Sequence, residues 1–438
     1  MVKLKRLAPA LVAAVALVVA ACGGSDNSSG GGGGGGSTAT TSNKPVTINW
    51  WHIQNTDPMK TVWKQAADAY HAAHPNVTIK ITVLENEAFK AKLTTNMQAG
   101  KPPDIFQSWG GGTLKEQADA GLVQDISQQT SSWIDQLNPA AVGLYKLDGK
   151  QYGVPYNLGM VGVWYNKALF KKAGIDAPPQ TWSEFLSDVQ KLKSAGITPI
   201  AVGEKDKWPG MFWWANLSLR IAGKDAMAKA GEDGSFDTPG FVKAGQQLQK
   251  LIDMKPFQKG YLAAPWPGAG GEAGTMAKKD AAMDLMGQWA PNEFNNNTKN
   301  KKGLGSNLGW FPFPQVEGGA GQQGEQFGGG DGFAIGKNAP PETVDFVKYL
   351  VTSDVANKAG ATNTILPVKK GSESSVTDPN MKTVLDTRAQ SSFVQLYLDQ
   401  AYAPAVGQAV NDAVQTLFAG KATPEKISQQ IADAAKAG

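Results

Sequence analysis

The hydrophobic pattern after the glycine-rich N-terminal stretch alternates between the period of a strand and that of a helix. Residues 77–83 alternate apolar and polar side chains, which is typical of a half-buried strand. Residues 59–74 place apolar side chains at helical spacing, and Pro75 ends that run. Predicted strands at 46–51, 77–83 and 104–107, with helices between them, indicate a parallel sheet with crossover connections. The chain is therefore predicted to be an α/β protein.

Ligands of parallel sheets bind beyond the carboxyl ends of the strands. His52 and Asn55 follow the first predicted strand, Glu87 follows the second, and Trp109 follows the third. We expect these side chains to lie near one edge of the sheet, as candidate ligand-binding residues.

A second sheet is predicted further along the chain, with strands at 161–165, 197–202 and 281–286. Thr181 and Glu184 have the spacing of a capping box, which predicts the start of a helix. A folded part approaching 400 residues is too long for one hydrophobic core, so two domains are expected.

The chain contains thirteen tryptophans, and four of them lie among glycine, proline and asparagine instead of in apolar runs. These four are Trp109, Trp208, Trp266 and Trp289. An indole ring presents a flat apolar face and one N–H donor, which suits the C–H face of a pyranose whose hydroxyls are bound by amides and carboxylates. A recognition surface for sugars is one interpretation, and the filling of gaps between domains is the other.

The N-terminus has the three-part layout of a secretory signal over residues 1–21. Its apolar stretch, residues 7–19, is shorter than the roughly 20 residues that a membrane span needs. Cys22 follows two alanines and resembles the lipidated cysteine of a bacterial lipoprotein, the alternative being an ordinary secretory signal. Residues 22–44 would then be a lipidated cysteine and a flexible linker, with an r.m.s. reach of roughly 25 Å.

Composition argues against disulfide-bonded, metal-binding and nucleic-acid-binding classes of protein. Cys22 is the only cysteine, so disulfides and thiolate metal sites are not expected in the folded part. Three histidines within residues 52–74 do not have metal-ligand spacing, and we expect no metal. Removal of the signal lowers the formal charge from +4 to about +1, which gives no indication of nucleic-acid binding.

Several short motifs occur in the order seen in one protein family. They are PDIF at 103–106, AGLV at 120–123, YGVPY at 152–156, WYNK at 164–167, PQTWSEF at 179–185, AAM at 281–283 with GQW at 287–289, and GFAI at 332–335. From residue 46 to the C-terminus the chain resembles the extracellular solute-binding proteins, family 1, of bacterial sugar ABC importers, in their actinobacterial lipoprotein form.

The resemblance implies a two-lobed periplasmic-binding-protein-like fold. Each lobe is expected to contain a mainly parallel sheet flanked by helices, with a ligand cleft between the lobes at a hinge that the chain crosses three times. The first lobe would comprise residues 45–155 and 333–365, and the second 158–328 and 369–438, with the division of the C-terminal helices left open. The crossings are expected near residues 154–158, 328–332 and 364–368.

The resemblance also implies a ligand site and no catalytic residue, cofactor or metal. Trp109 is the expected stacking platform of the first lobe and Trp289 that of the second, with Trp208, or one of Trp213 and Trp214, as a third ring. The candidate polar contacts are Asn55, Glu87, Asp331, Asn157, Glu272 and His52.

The implied function is capture of a short oligosaccharide by lobe closure and its delivery to an ABC permease. We expect a monomer anchored through Cys22 on the extracellular face of the cell membrane. Xylobiose or a related xylo-oligosaccharide is the first candidate ligand, with cello- and chito-oligosaccharides next and polyol, glycerophosphodiester or peptide-like solutes as other cargoes. A lipid-anchored hydrolase or lyase, using Glu87 and Asp331 as its two carboxylates, is the alternative of another class.

Overall fold

The structure is a computed structural model that describes residues 44–437. The predicted signal peptide, residues 1–21, lies outside the described residues. Cys22 and all of the predicted linker except Lys44 also lie outside them.

The described chain alternates strands and helices throughout. The strands are β1 Val46–His52, β2 Val77–Val83, β3 Ile105–Ser108, β4 Lys146–Leu147, β5 Lys150–Gln151, β6 Gly153–Asn166, β7 Thr198–Ala201, β8 Ala281–Gly287, β9 Leu308–Pro312, β10 Glu325–Ile335 and β11 Phe393–Leu396. The helices are α1 Met59–Ala73, α2 Asn86–Gln98, α3 Gly111–Asp119, α4 Ser127–Thr130, α5 Pro139–Gly143, α6 Lys167–Lys172, α7 Trp182–Ser194, α8 Trp208–Ala222, α9 Lys224–Asp233, α10 Pro239–Asp253, α11 Glu272–Ala277, α12 Ala290–Asn296, α13 Glu342–Thr352, α14 Asp354–Ala361, α15 Pro379–Gln390, α16 Leu398–Ala401, α17 Pro404–Phe418 and α18 Pro424–Ala437. Short 3-10 turns lie at Ile134–Gln136, Tyr261–Ala263, Gly305–Asn307 and Ser372–Ser375.

The predicted parallel sheet of the first lobe is confirmed. Strand β1 pairs in parallel with β2 on one side and β3 on the other, and α1 and α2 form the two crossovers. The predicted capping box is also present, because the Thr181 hydroxyl accepts from the Glu184 amide while the Glu184 carboxylate accepts from the Thr181 amide.

Two long strands, β6 and β10, join the two halves of the sheet. The first half of β6 pairs with β10, and its second half pairs with β8 and β9. The carboxyl-terminal part of β10 pairs with β3, and its beginning pairs with β11. The two-lobed α/β fold is therefore confirmed, and its sheets are mixed instead of mainly parallel. The antiparallel pairs arise because β6 runs against β8, β9 and β10, and β10 also runs against β3, whereas β10 and β11 are parallel.

The glycine-rich segment 328–332, where one crossing of the hinge was expected, lies inside β10. A Cβ atom at Gly329 would come within 2.3 Å of the Tyr397 ring, and one at Gly332 within 2.6 Å of the Tyr145 hydroxyl. Glycine is therefore required here because aromatic rings pack directly on the strand backbone, and the segment is not a loop.

Separate hydrophobic clusters stabilise the lobes. In the first lobe Trp50 and Trp63 pack edge to face with Phe333. In the second lobe β8 lies against α8, a helix buried on all sides. Within residues 44–437 no helix combines the length and the apolar character that crossing a membrane requires.

Candidate functional site

A cleft of about 1030 Å³ lies between the two lobes. The first lobe contributes the segment that follows β1 and the start of α2, and the second contributes the starts of α8 and α12. Aromatic rings and amide side chains dominate the lining. The aromatic and polar lining residues include Gln54, Asn55, Thr56, Glu85, Asn86, Lys90, Trp109, Trp208, Phe212, Trp266, Gln288, Trp289, Asn292, Glu293, Lys301, Asp331, Thr364, Tyr397, Asp399 and Gln400.

Trp109 is the aromatic residue that the first lobe presents to the cleft. It follows β3 and precedes Gly110, whose φ of 76° allows the sharp turn into α3. Its ring packs edge to face on Phe89 at 6.0 Å, and the Lys90 ammonium lies 5.5 Å from its centroid. The ring is held between these neighbours and stays half-buried, which leaves apolar surface free for a ligand.

The second lobe presents a connected wall of rings to the same cleft. Trp208 lies 6.1 Å from Trp266 and 6.5 Å from Trp289, centroid to centroid, and Trp289 lies 6.1 Å from Tyr397. Of these four, Trp289 is the one that is only half-buried, whereas Trp208 and Trp266 are 8% and 7% exposed. Trp289 therefore offers the most accessible ring surface of the wall.

Local backbone geometry fixes Trp289. It immediately precedes α12, and its ring folds back over Gly287 at the end of β8. A Cβ atom at Gly287 would lie 2.1 Å from Cζ3 of the Trp289 ring. The absence of a side chain at position 287 therefore lets the ring rest on the strand and face the cleft.

Asp331 is a carboxylate at the base of the cleft, and it is 9% exposed. Its Oδ2 accepts from Asn157 at 2.6 Å, and its Oδ1 accepts from Gln107 at 2.9 Å. Burial raises the pKa of Asp331 to about 6, although the hydrogen bonds from Asn157, Gln107 and Trp109 act against that rise. At neutral pH the group is a carboxylate that can accept a further hydrogen bond.

The rim of the cleft carries direct contacts between the lobes. The Thr56 hydroxyl donates to Glu293 at 3.3 Å and accepts from Asn292 at 3.3 Å. The Asn296 amide donates to the Asp57 carbonyl at 3.5 Å. All three second-lobe side chains belong to α12, the helix that follows Trp289, so this helix connects the aromatic wall to the first lobe.

Lys90 closes another side of the cleft. Its ammonium lies 3.2 Å from the Asp399 carboxylate and 3.8 Å from that of Glu87. Burial lowers the pKa of Lys90, but these carboxylates more than offset that effect and raise it overall. Lys90 is therefore a paired cation, and its charge is not free to bind an anionic ligand without competition.

Five of the predicted site residues meet at this cleft. Trp109, Trp289, Trp208, Asn55 and Asp331 all line it. Trp208 has glycine and proline close by in the sequence, yet it is the first residue of α8, so that helix sets the orientation of its ring.

His52 and Trp213 were expected at the ligand, and the structure places both away from the cleft lining. His52 is 1% exposed, and its ring centroid lies 4.7 Å from that of Trp50. Both side chains lie on the buried face because side chains alternate between the two faces of β1. Burial lowers its pKa to about 3, so it is neutral. Trp213 packs on Phe185 at 5.8 Å, because the residue after Phe212 lies on a different face of α8.

Three polar candidates also lie away from the lining. Glu87 is the second residue of α2, and its neighbour Glu85 faces the cleft in its place while accepting hydrogen bonds from the helix amides. Asn157 is fully buried beside Asp331. Glu272 is 1% exposed beneath the wall of rings, where burial and the carboxylate of Asp284 raise its pKa well above the usual range.

Several lining residues were missed by reasoning from the sequence. Trp266 was among the four tryptophans noted for their glycine and proline neighbours, but it was not chosen as a site residue. Gln288, which directly precedes Trp289, was missed. Phe212 follows Trp208 by one helical turn, which places both on one face once the helix is known to begin at Trp208. Tyr397 carries no local indication, since only the pairing of β11 with β10 brings it near the cleft.

No group of three or more histidine, cysteine, aspartate or glutamate side chains within residues 44–437 is placed to hold a metal ion. The polar side chains of the cleft are mainly amides and separately paired carboxylates. Their arrangement suits hydrogen bonding to a multiply hydroxylated solute.

Comparison with known proteins agrees with this geometry. Residues 54–357 match the family described as bacterial extracellular solute-binding protein, and the chain belongs to that family. It is 26% identical to an uncharacterized ABC transporter extracellular-binding protein of Pyrococcus horikoshii, over 89% of this chain and 86% of the relative.

Two solved structures are also similar. One, from work on xylan utilization by the thermophilic bacterium Caldanaerobius polysaccharolyticus, has a TM-score of 0.82 and 29% identity, covering 88% of this chain and 99% of the other. The second, a chitin oligosaccharide binding protein, has a TM-score of 0.81 and 26% identity, covering 90% of this chain and 100% of the other.

Proposed function

We propose that this protein captures a short neutral oligosaccharide outside the cell and delivers it to the permease of an ABC importer. The observation that carries the proposal is that each lobe presents a partly exposed tryptophan, Trp109 or Trp289, to one cleft. Sugar rings stack on indoles through their C–H faces. A ligand that contacts both lobes stabilises the closed form by the contacts that exist only there.

The charges of the cleft favour a neutral ligand. Phosphate and carboxylate ligands are usually bound by arginine, and no arginine lines the cleft among the residues described. Lys90 is paired with Asp399, and Lys301 donates to the Asn296 carbonyl at 2.8 Å. A phosphorylated solute would have to displace these contacts, whereas a hydroxyl can add to them.

Among oligosaccharides we propose xylobiose and related xylo-oligosaccharides first. The similarity to the structure from the xylan-utilization work supports this choice, and the similarity to the chitin oligosaccharide binding protein supports chito-oligosaccharides as the alternative. A wall of several rings suits two or more sugar units better than one. In this assignment Trp109 and Trp289 are the platforms, Asn55 and Asp331 bind hydroxyls, and Trp208 supports Trp289.

A calorimetric panel tests the proposal directly. It should contain xylobiose, xylotriose, cellobiose, N,N′-diacetylchitobiose, maltose and glycerol 3-phosphate. We expect saturable one-to-one binding of at least one β-linked disaccharide and a raised melting temperature in its presence. Binding of glycerol 3-phosphate with no response to any saccharide would refute the sugar assignment.

We further propose that the cleft performs no chemistry on its ligand. Glu87 is away from the cleft lining, so the carboxylate pair considered above for a hydrolase is not assembled there. Chromatography of the saccharides after prolonged incubation with the protein should recover them intact. Appearance of shorter sugars at a rate proportional to protein concentration would establish a hydrolase or lyase.

We also propose that the protein is a monomer held on the extracellular face of the membrane by a lipid on Cys22. Within the folded part, residues 45–155 and 333–365 form the first lobe and residues 158–328 and 369–438 the second. β6 changes pairing partners between Met160 and Val161, shortly after the proposed limit at residue 158, which supports a crossing within this strand. Helices α17 and α18 pack on α8 and α10, which supports placing them in the second lobe.

A further inference from the structure

Asp331 and Asn157 lie side by side where the chain crosses between the lobes. Asp331 on β10 pairs across the antiparallel ladder with Asn157 on β6, and Asn157 pairs in turn with Pro367. These residues fall in or beside the three predicted crossings of the hinge. One residue from each crossing therefore belongs to a single row.

The side chains and backbone of this row are joined by short hydrogen bonds. The Leu366 amide donates to Asn157 Oδ1 at 2.7 Å, and Asn157 Nδ2 donates to Asp331 Oδ2 at 2.6 Å. Because Oδ1 of Asn157 is committed to the Leu366 amide, its Nδ2 group must face Asp331. Gln107 donates to the other Asp331 oxygen at 2.9 Å, which attaches the row to strand β3.

Of these residues, Asp331 alone lines the cleft, whereas Asn157 and Gln107 are fully buried. The ladder between β10 and β6 shifts register between Asp331 and Gly332. Such bulges turn a side chain away from its regular direction and are common beside ligand sites. Thr364 and Ile365 of the third crossing also line the cleft, and Asp331 gives a second connection, which runs through Asn157 to the Leu366 amide.

We infer that Asn157 is a positioning residue, which orients the Asp331 carboxylate towards the cleft and couples it to the relative position of the lobes. A ligand hydroxyl that donates to Asp331 would then act on the same group that ties the three crossings together. The inference rests on the proposed function, because capture by lobe closure is the process that this coupling would serve.

The role of Asn157 can be tested by exchanging the side chains of Asp331 and Asn157, which are nearly equal in shape and size. Asp331→Asn places an amide against two committed donors, Asn157 and Gln107, so one N–H must face another N–H. Asn157→Asp places two carboxyl groups at the 2.6 Å contact. The double variant Asp331→Asn/Asn157→Asp keeps the hydrogen bonds donated by Leu366 and Gln107 and restores the bond between positions 157 and 331 with its donor and acceptor exchanged.

The readout is the distance between the lobes, measured without ligand. Spin labels on Lys80→Cys and Lys259→Cys, both at exposed positions and in different lobes, report this distance in the full chain carrying Cys22→Ser. We expect a distance distribution at least twice as broad in either single variant and a return to the wild-type width in the double variant. Singles as narrow as wild type, or a double variant as broad as the singles, would overturn the inference.

A pH series separates positioning from a purely structural role. Burial raises the pKa of Asp331 to about 6, so acidification through that pH removes an acceptor and should broaden the wild-type distribution. Tyr145, Tyr156 and Tyr397 face Asp331, and their pKa values lie well above 10, so they stay neutral throughout. The Asp331→Asn variant should show no such change near pH 6, and a change of wild-type size in this variant would contradict the assignment.

Folding of each variant is checked by circular dichroism, and either single variant can be compared with the double variant if the other does not fold. Xylobiose titration of the wild type is a separate measurement. Failure of the wild type to bind any saccharide would refute the proposed function, whereas the ligand-free distances would still decide the coupling.

Discussion

Trp289 gives the sharpest test of how the cleft binds its ligand. The ring is half-buried because Trp208 and Tyr397 pack on it at 6.5 and 6.1 Å, so a ligand can cover only its remaining face. A tryptophan buries roughly 150–250 Å² in total, and one face accounts for about 80 Å² of that. At about 25 cal/mol per Å², loss of this contact in Trp289→Ala costs about 2 kcal/mol, or a roughly 30-fold weaker affinity.

The assay is isothermal titration with the disaccharide that binds most tightly in the panel above. Trp51→Ala is the matched control, because Trp51 is also half-buried, contacts Lys92 at 4.4 Å from its ring centroid and does not line the cleft. We expect the affinity of this control to stay within about twofold of wild type.

Gly287→Ala separates loss of the ring from its displacement. The new Cβ atom would approach Cζ3 of Trp289 to 2.1 Å, so the ring must move while its apolar surface is retained. We expect weaker binding than wild type but tighter binding than Trp289→Ala. Equal affinities for Trp289→Ala and wild type, or equal losses in Trp289→Ala and Trp51→Ala, would refute the stacking argument.

Three further perturbations test other parts of the molecule. Thr56→Val removes the hydrogen bonds to Glu293 and Asn292 and should weaken disaccharide binding three- to tenfold by calorimetry, at about 1 kcal/mol for a net hydrogen bond; unchanged affinity would mean that these rim contacts do not favour closure. Burial raises the pKa of Asp284 and that of Glu272 beside it, so the contribution of this pair to stability is present at acidic pH and is lost as the pH rises through the raised pKa values. The double variant Asp284→Asn/Glu272→Gln should therefore flatten the fall in the free energy of unfolding between pH 5 and pH 8 in urea titrations, and a wild-type pH dependence in this variant would contradict the argument. Cys22→Ser should release the protein from the membrane fraction and lower sugar uptake by cells while leaving the affinity unchanged, whereas lost affinity would show that the linker takes part in the site.

Residues at the ends of strands were predictable because both the strand and its direction can be read from local patterns. Trp109 follows β3 and Asn55 follows β1, and both line the cleft as the parallel sheet predicts. Trp289 was chosen from the family resemblance, and it too follows the end of a strand, β8. The same rule failed for His52, which is still within β1, because the last inward-facing position of a strand belongs to the core.

Burial of polar groups could not be inferred from the sequence alone. Glu272 lies in a glycine-rich segment that looks exposed, yet α11 packs on β8 and places its carboxylate against Asp284. Trp213 and Trp214 both follow Trp208 in a helix that is buried on all sides, and neither lines the cleft. Which indole of such a helix reaches a ligand depends on where the helix begins. An error of one residue in that position turns the predicted direction of every side chain by about 100° around the helix axis.

The glycines around Asp331, at one crossing of the hinge, are compatible with two different local structures. A run of glycines around Asp331 indicates a loop when it is considered alone, because glycine adds conformational freedom to a chain. In β10 the same glycines instead let the Tyr397 and Tyr145 rings approach the backbone, which is held on one side by β6. A paired strand cannot bend at one free residue as a loop can, so rotation of the lobes must change the packing of these rings and the hydrogen bonds of Asp331 together. A ligand that binds Asp331 in the cleft can therefore directly oppose the rearrangement of the hydrogen bonds between Asp331, Asn157 and Leu366.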